Sequence, residues 1–116
     1  MINNNFIICT YERDMYIESW ATVINIDWKN VDTKEFLIEK IYSELGCPKD
    51  FGKNWDAFWD TITDNQFWVK SPLVLIFRNY NYIFSGNKND RLILSDILID
   101  LINQKRQKYY IFILKK

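Results

Sequence analysis

The sequence predicts a small α/β domain in which helices cover a parallel β-sheet. Three apolar runs have the composition of buried strands: Ala21–Ile26, Leu73–Phe77 and Tyr109–Leu114. The stretches between them carry apolar residues at helical spacing. Strands that alternate with helices favour a parallel sheet, because a parallel connection needs a long crossover.

The first part of the chain contains a polar start, a strand candidate and a capped helix. Met1–Asn5 is polar and is expected to fray. Phe6–Thr10 could form one extra N-terminal strand. The first helix begins after Asp32 or Thr33, either of which can cap it, and Gly46 is placed to end it as the C′ residue.

The last part of the chain predicts a long amphipathic helix before the final strand. Asn79–Ser85 is aromatic and suits a helical turn, and the loop Gly86–Asn89 can cap the helix that follows. This helix is expected to run from about Asp90 to Gln107, with apolar residues on one side. Its C-terminus is expected to carry a basic cluster, where cations oppose the helix dipole: Lys105, Arg106 and Lys108.

Composition indicates one folded domain that spans the 116 residues. The chain is 48% hydrophobic and 17% aromatic, which is typical of a globular protein. Cys9 and Cys47 are too few for a disulfide framework and are expected to be buried filler. We find no signal-peptide pattern and no apolar stretch near the roughly 20 residues of a membrane span, so we expect a cytoplasmic protein.

Charge is balanced in total and unequal along the chain. Fifteen acidic and fifteen basic residues cancel, which argues against attraction of the whole protein to nucleic acid or to an anionic membrane. The acidic residues are concentrated in the first half and the basic residues in the second. We therefore expect a molecule with separate acidic and basic parts.

The most distinctive stretch is a loop that leads into a short helix with acidic side chains, called here the acidic helix. Pro48 and Gly52 shape the loop, and Asn54 is a good N-cap. One face of the helix is apolar: Trp55, Phe58, Trp59 and Ile62. The neighbouring face is polar: Asp56, Asp60, Thr63 and Asp64.

Two interpretations of the polar face are open. Carboxylates four residues apart repel each other by only about 0.2–0.5 kcal/mol per pair, so an ordinary solvated face can carry them. Alternatively, the carboxylates are presented to a cationic partner. On the apolar face, Trp55, Phe58 and Ile62 are predicted core residues, whereas Trp59 lies at the edge and suits a half-exposed contact role.

The residue types exclude most catalytic chemistries. The chain has no histidine, which removes Ser-His-Asp catalysis and the usual zinc sites, and it has only three glycines and no phosphate-binding glycine motif. Asp56 and Asp60 project from one helix instead of facing each other across a substrate, which favours presentation over acid–base catalysis. The aromatic residues beside these aspartates also lack the basic track that nucleic-acid binding needs. No enzyme activity, metal or cofactor is therefore predicted.

The segment around the acidic helix resembles the barstar family, the intracellular protein inhibitors of barnase-type ribonucleases. Its pattern is Pro48-x-x-Phe51-Gly52-x-Asn54-x-Asp56-Ala57-Phe58-Trp59-Asp60-x-x-Thr63. It continues into Trp68 and Pro72-Leu73-Val74-Leu75-x-x-Arg78, at the family's spacing counted back from that proline. The loop between Thr63 and Trp68 is three residues longer than the resemblance implies. The resemblance covers roughly Ala21–Leu114. It implies a core of three parallel strands with about three to four helices, preceded by an N-terminal extension over residues 1–20.

The resemblance also implies an inhibitory surface, carried over residue by residue. Asp60 matches the family's dominant acidic contact, which enters the phosphate site of the enzyme, and Asp56 matches the second acidic contact. Asp50 departs from the family, which has a contact tyrosine there. The flanking positions that match contacts are Gly52, Asn54, Trp59, Thr63 and Trp68.

The function implied is that of an antidote that occludes a nuclease. The partner would be a basic ribonuclease of the extracellular type or a nuclease toxin, bound 1:1 by a monomeric inhibitor without contact to nucleic acid or membrane. Two alternatives stay open: an interaction domain with the same fold and a non-nuclease partner, and a carboxylate-dependent hydrolase. Turnover of a sugar or ester substrate would indicate the hydrolase.

Overall fold

A computed structural model describes residues 5–17, 19–47, 52–63, 72–104 and 108–115. They form a sheet of four parallel strands in the order β1-β4-β3-β2. The strands are β1 (Phe6–Thr10), β2 (Thr22–Asp27), β3 (Leu73–Arg78) and β4 (Tyr109–Leu114). The predicted α/β class is confirmed, and the extra N-terminal strand is present as β1, so that the sheet has four strands.

Three α-helices connect the strands: α1 (Lys34–Leu45), α2 (Trp55–Ile62) and α3 (Lys88–Ile102). Thr33 caps α1 by accepting a hydrogen bond from the Phe36 N–H at 3.2 Å, and Asn87 caps α3. Gly46 ends α1 with a φ of 75°, a left-handed conformation that favours glycine. The predicted caps of α1 are therefore confirmed, with Thr33 as the N-cap.

The two faces of the sheet are covered differently. Helices α1, α2 and α3 contribute to one large buried cluster on the first face. The second face has a smaller cluster, covered by part of the connection between β1 and β2 at Met15, Ile17 and Ala21. The connections from β2 to β3 and from β3 to β4 cross the sheet in one direction, whereas that from β1 to β2 returns in the other. Because parallel crossovers share one hand, the returning connection lies on the opposite face.

Three sequence-based expectations are wrong in detail. Helix α3 ends at Ile102 and not at Gln107, since the Asn103 N–H and the Gln104 side chain both donate to the Asp100 carbonyl and close the last turn. Lys108 therefore lies outside the helix, and Lys105 and Arg106 lie outside the described residues. Asn5 is held, because its side chain donates to the Gln104 carbonyl and accepts from the Tyr109 N–H.

The cysteines also differ from the expectation. Neither forms a disulfide within the described residues, but Cys9 is exposed and Cys47 is only half-buried. Cys9 belongs to β1, which is an edge strand and is less covered than the central strands. Among the described residues, no helix combines the length and the apolar character that crossing a membrane requires.

Candidate acidic interaction site

Helix α2 is the acidic helix, and local sequence explains where it begins. The Asn54 side-chain oxygen accepts a hydrogen bond from the Ala57 N–H at 2.8 Å, so Asn54 is the N-cap. The Phe58 N–H donates to the Asn54 carbonyl at 2.9 Å and closes the first turn. The cap predicted from the sequence is confirmed.

The apolar face of α2 attaches the helix to the core. Phe58 and Ile62 are 1% and 0% exposed, as predicted. Trp55 packs against the core but is only partly buried, and Trp59 is also partly buried, which confirms its place at the edge. The opposite side of α2 is thereby left to solvent.

The two aspartates of α2 lie on this exposed side, one helical turn apart. Asp56 and Asp60 are both exposed, and neither carboxylate has a hydrogen bond or ion pair within the part of the chain that the structure describes. Asp56 is in the first turn, where the helix dipole favours an anion. Asp60 is in the last turn, where the dipole opposes an anion and Asp56 repels it. The carboxylate of Asp60 is thus unfavourably placed for the free helix.

The other predicted site residues fall on or beside the same segment. Gly52 and Asn54 are exposed in the loop and cap that lead into α2. Thr63 follows the helix, and its hydroxyl donates back to the Trp59 carbonyl at 2.7 Å. Asp50 and Trp68 lie outside the described residues, as do Pro48 and Asp64. The structure therefore groups Gly52, Asn54, Asp56, Trp59, Asp60 and Thr63 in one continuous stretch.

Gly52 holds the loop close to the helix. A Cβ atom at this position would lie 3.1 Å from the Ala57 Cβ and 3.3 Å from the Asn54 Nδ2, so a larger residue would press on the cap. The Tyr42 hydroxyl donates to the Gly52 carbonyl at 2.9 Å. Burial raises the pKa of Tyr42, so this hydroxyl keeps its proton at neutral pH. Helix α1 thus anchors the loop that precedes α2.

Lys53 places a cation beside the acidic residues. Its ammonium lies 3.4 Å from the Glu39 carboxylate on α1. Both side chains are exposed, so this pair adds little to stability. The Glu39 carboxylate partly offsets the positive charge of Lys53.

Two further hydrogen bonds attach the ends of α2 to other parts of the fold. The Trp55 indole N–H donates to the Asp90 carboxylate at 3.0 Å, at the start of α2. At its end, the buried Tyr109 hydroxyl donates to the Ile62 carbonyl at 3.1 Å, and burial raises the pKa of Tyr109. Sequence reasoning missed these supports and that of Tyr42, since no local spacing relates the partners.

The geometry suits presentation of charge more than chemistry. The two carboxylates project from a single helix, and the described residues contain no group of three histidine, cysteine, aspartate or glutamate side chains that could hold a metal ion. Asp56 and Asp60 do not face each other across a cleft, as a catalytic pair of carboxylates would, because they lie one turn apart on the same helix. The site is an exposed pair of aspartates on a helix that hydrogen bonds hold to the rest of the fold.

Comparison with known proteins identifies the family of the chain. A sequence profile described as "Barstar (barnase inhibitor)" matches residues 21–114. The chain belongs to the barstar family, a family of ribonuclease inhibitors. A Bacillus subtilis protein named "Putative ribonuclease inhibitor YrdF" is 34% identical over 59 residues. That alignment covers 51% of this chain and 62% of the relative.

Proposed function

We propose that this protein is a cytoplasmic antidote that binds a basic ribonuclease 1:1 and occludes its active site. The observation that carries the proposal is the pair of exposed aspartates on α2, Asp56 and Asp60, whose carboxylates lack partners within the described residues. Membership of the barstar family and the name of the Bacillus subtilis relative support the same role.

The physical logic rests on the substrate of the target. A ribonuclease binds RNA phosphate, so its active site must gather positive charge. Carboxylates held on a rigid helix can take the place of the phosphates and block entry of the substrate. Opposite charges on the two surfaces also raise the association rate, to as much as about 10⁸–10⁹ M⁻¹s⁻¹ at low salt.

Preorganisation adds to the affinity in this proposal. The contacts of Tyr42, Asp90 and Tyr109 hold the loop and both ends of α2 before any partner arrives. The backbone of the loop and of α2 then loses little conformational freedom on binding, which lowers the entropic cost of association. Asp60 would enter the phosphate site, with Asp56, Asn54, Gly52, Trp59 and Thr63 around it.

Inhibition of RNA cleavage tests the proposal. Wild type, Asp60→Ala and Asp96→Ala are titrated into barnase and into any ribonuclease captured from the native cell extract by the wild-type protein. Asp96 is an exposed residue of α3, so its variant loses the same charge from another helix. We expect stoichiometric inhibition by wild type and by Asp96→Ala, and weaker inhibition by Asp60→Ala.

Two results would contradict the proposal. Equal inhibition by Asp60→Ala and wild type would mean that α2 is ordinary solvated surface. The absence of any inhibited ribonuclease, with capture of another protein that depends on Asp60, would indicate an interaction domain of different specificity.

A further inference from the structure

The first residue of α2 is tied to the start of α3 by a hydrogen bond between side chains. The indole N–H of Trp55 donates to Oδ1 of Asp90 at 3.0 Å, in a partly buried position. The Trp55 ring also meets two other rings edge-on, Phe58 at 5.9 Å and Phe84 at 6.2 Å between centroids. The orientation of Trp55 is therefore set both by packing and by one polar contact.

Asp90 is itself held in place by the cap of α3. Its second oxygen, Oδ2, accepts a hydrogen bond from the Asn87 side-chain amide at 3.0 Å, and its own N–H donates to the Asn87 Oδ1 at 3.1 Å. These are reciprocal hydrogen bonds between the N-cap and the third residue of α3. They differ from a capping box, because Asn87 donates through its side-chain amide while its backbone N–H donates to the Phe84 carbonyl. Both carboxylate oxygens of Asp90 are engaged, so the group that receives Trp55 cannot rotate freely.

The turn before α3 also contacts Trp55, through the ring of Phe84. Phe84 is 1% exposed and adopts a φ of 39°, a conformation that is unfavourable for a bulky side chain. In that position its ring contacts both Trp28, at 5.0 Å between centroids, and Trp55. The neighbouring structure must stabilise this backbone, because a strained residue persists only where its surroundings determine it.

We propose that Asp90 is a positioning residue for the inhibitory surface. Through Trp55 it fixes the first turn of α2, and with it the directions in which Asn54 and Asp56 face a partner. This inference rests on the proposed function and deepens it. Asp90 acts through Trp55 and does not itself contact the ribonuclease.

The chain offers a matched control, an exchange of the two side chains at the cap of α3. In Asn87→Asp/Asp90→Asn, an aspartate at the cap can still accept from the N–H of residue 90. The new amide at position 90 can still accept from Trp55 and donate to the new carboxylate. The exchange keeps the hydrogen bonds and moves the negative charge away from Trp55, whereas Asp90→Ala removes both.

Hydrogen exchange of the free protein is the first test. The Phe58 N–H reports on the first turn of α2, and the Leu37 N–H, which donates to the Thr33 carbonyl, reports on α1. We expect Asp90→Ala to speed exchange at Phe58 by about tenfold or more and to leave Leu37 unchanged. The reason is that the Asp90 carboxylate accepts its hydrogen bonds from Trp55 on α2 and from Asn87 at the cap of α3. Unchanged exchange at Phe58, or equal acceleration at both amides, would refute the positioning role.

Inhibition is the second test, with barnase as the probe. Asp90→Ala is expected to weaken inhibition about tenfold, and the exchanged variant to restore it. An exchanged variant as weak as Asp90→Ala would overturn the inference, because it would make the charge of Asp90 a direct contact. If wild type does not inhibit barnase, the proposed function fails for that enzyme, while hydrogen exchange alone still decides the positioning role.

Discussion

Replacing Asp60 by asparagine should stabilise the free protein while it weakens inhibition. Asp60 lies in the last turn of the eight-residue helix α2, where a carboxylate opposes the dipole at a cost of about 0.3–1 kcal/mol. Repulsion from Asp56, one turn earlier, adds about 0.2–0.5 kcal/mol. Removing the charge should therefore raise the free energy of unfolding by about 0.5–1.5 kcal/mol.

Asp56→Asn is the matched comparison on the same helix. It relieves the same repulsion, but it also removes a carboxylate from the first turn, where the dipole favours an anion. The two effects oppose each other, so its free energy of unfolding should be close to that of wild type or slightly lower. The difference between the two variants should be about 0.6–2 kcal/mol, which isolates the dipole contribution.

Urea unfolding at low and high salt measures the stability effect. Screening over a Debye length of about 3 Å at 1 M salt should reduce the gain of Asp60→Asn, because its origin is electrostatic. Inhibition of barnase or of the captured ribonuclease measures the effect of Asp60→Asn on binding. We expect this variant to lose about 2–5 kcal/mol of binding free energy. The reasoning would be refuted if Asp60→Asn were no more stable than Asp56→Asn. It would also be refuted if the stability gained by Asp60→Asn were the same at low and high salt.

Three further predictions concern stability. Tyr109→Phe removes the buried hydrogen bond to the Ile62 carbonyl and should cost about 1–2 kcal/mol by urea unfolding; Tyr110→Phe, at the partly buried neighbour, should be nearly neutral. Asn54→Ala should lower the free energy of unfolding by about 1 kcal/mol, because α2 loses its N-cap. Asn54→Asp should keep most of the stability, since an aspartate can still accept the hydrogen bond from the Ala57 N–H. Equal losses of stability in the two variants would argue against the capping role. Asp27 accepts hydrogen bonds from the Asn79 side chain and the Lys29 N–H, which lower its pKa. The contribution of Asp27 to the free energy of unfolding is therefore present above the ordinary aspartate pKa and is lost as pH falls through the lowered pKa. The stability difference between wild type and Asp27→Asn should shrink in acid. A difference that stays constant down to about pH 2 would contradict this.

Much of the acidic surface could be predicted because the relevant physics is local. Asn54 as cap, the burial of Phe58 and Ile62, and the exposure of Asp56 and Asp60 follow from helix periodicity and capping within a few residues. The same reasoning placed α3 but extended it too far, since the Asn103 N–H and the Gln104 side chain donate to the Asp100 carbonyl and end the helix at Ile102. Short-range patterns predict that an element exists better than they predict its end.

The sequence by itself determined the α/β class, the family and the stretch that presents the carboxylates. Only the tertiary structure decided what holds that stretch: Tyr42 is 10 residues from Gly52, Asp90 is 35 from Trp55, and Tyr109 is 47 from Ile62. It also decided that β1 pairs with β4 at the edge of the sheet, which exposes Cys9. The physical reason is the same throughout. Periodicity and capping act along the chain, whereas strand pairing and side-chain hydrogen bonds depend on distances that exist only after folding.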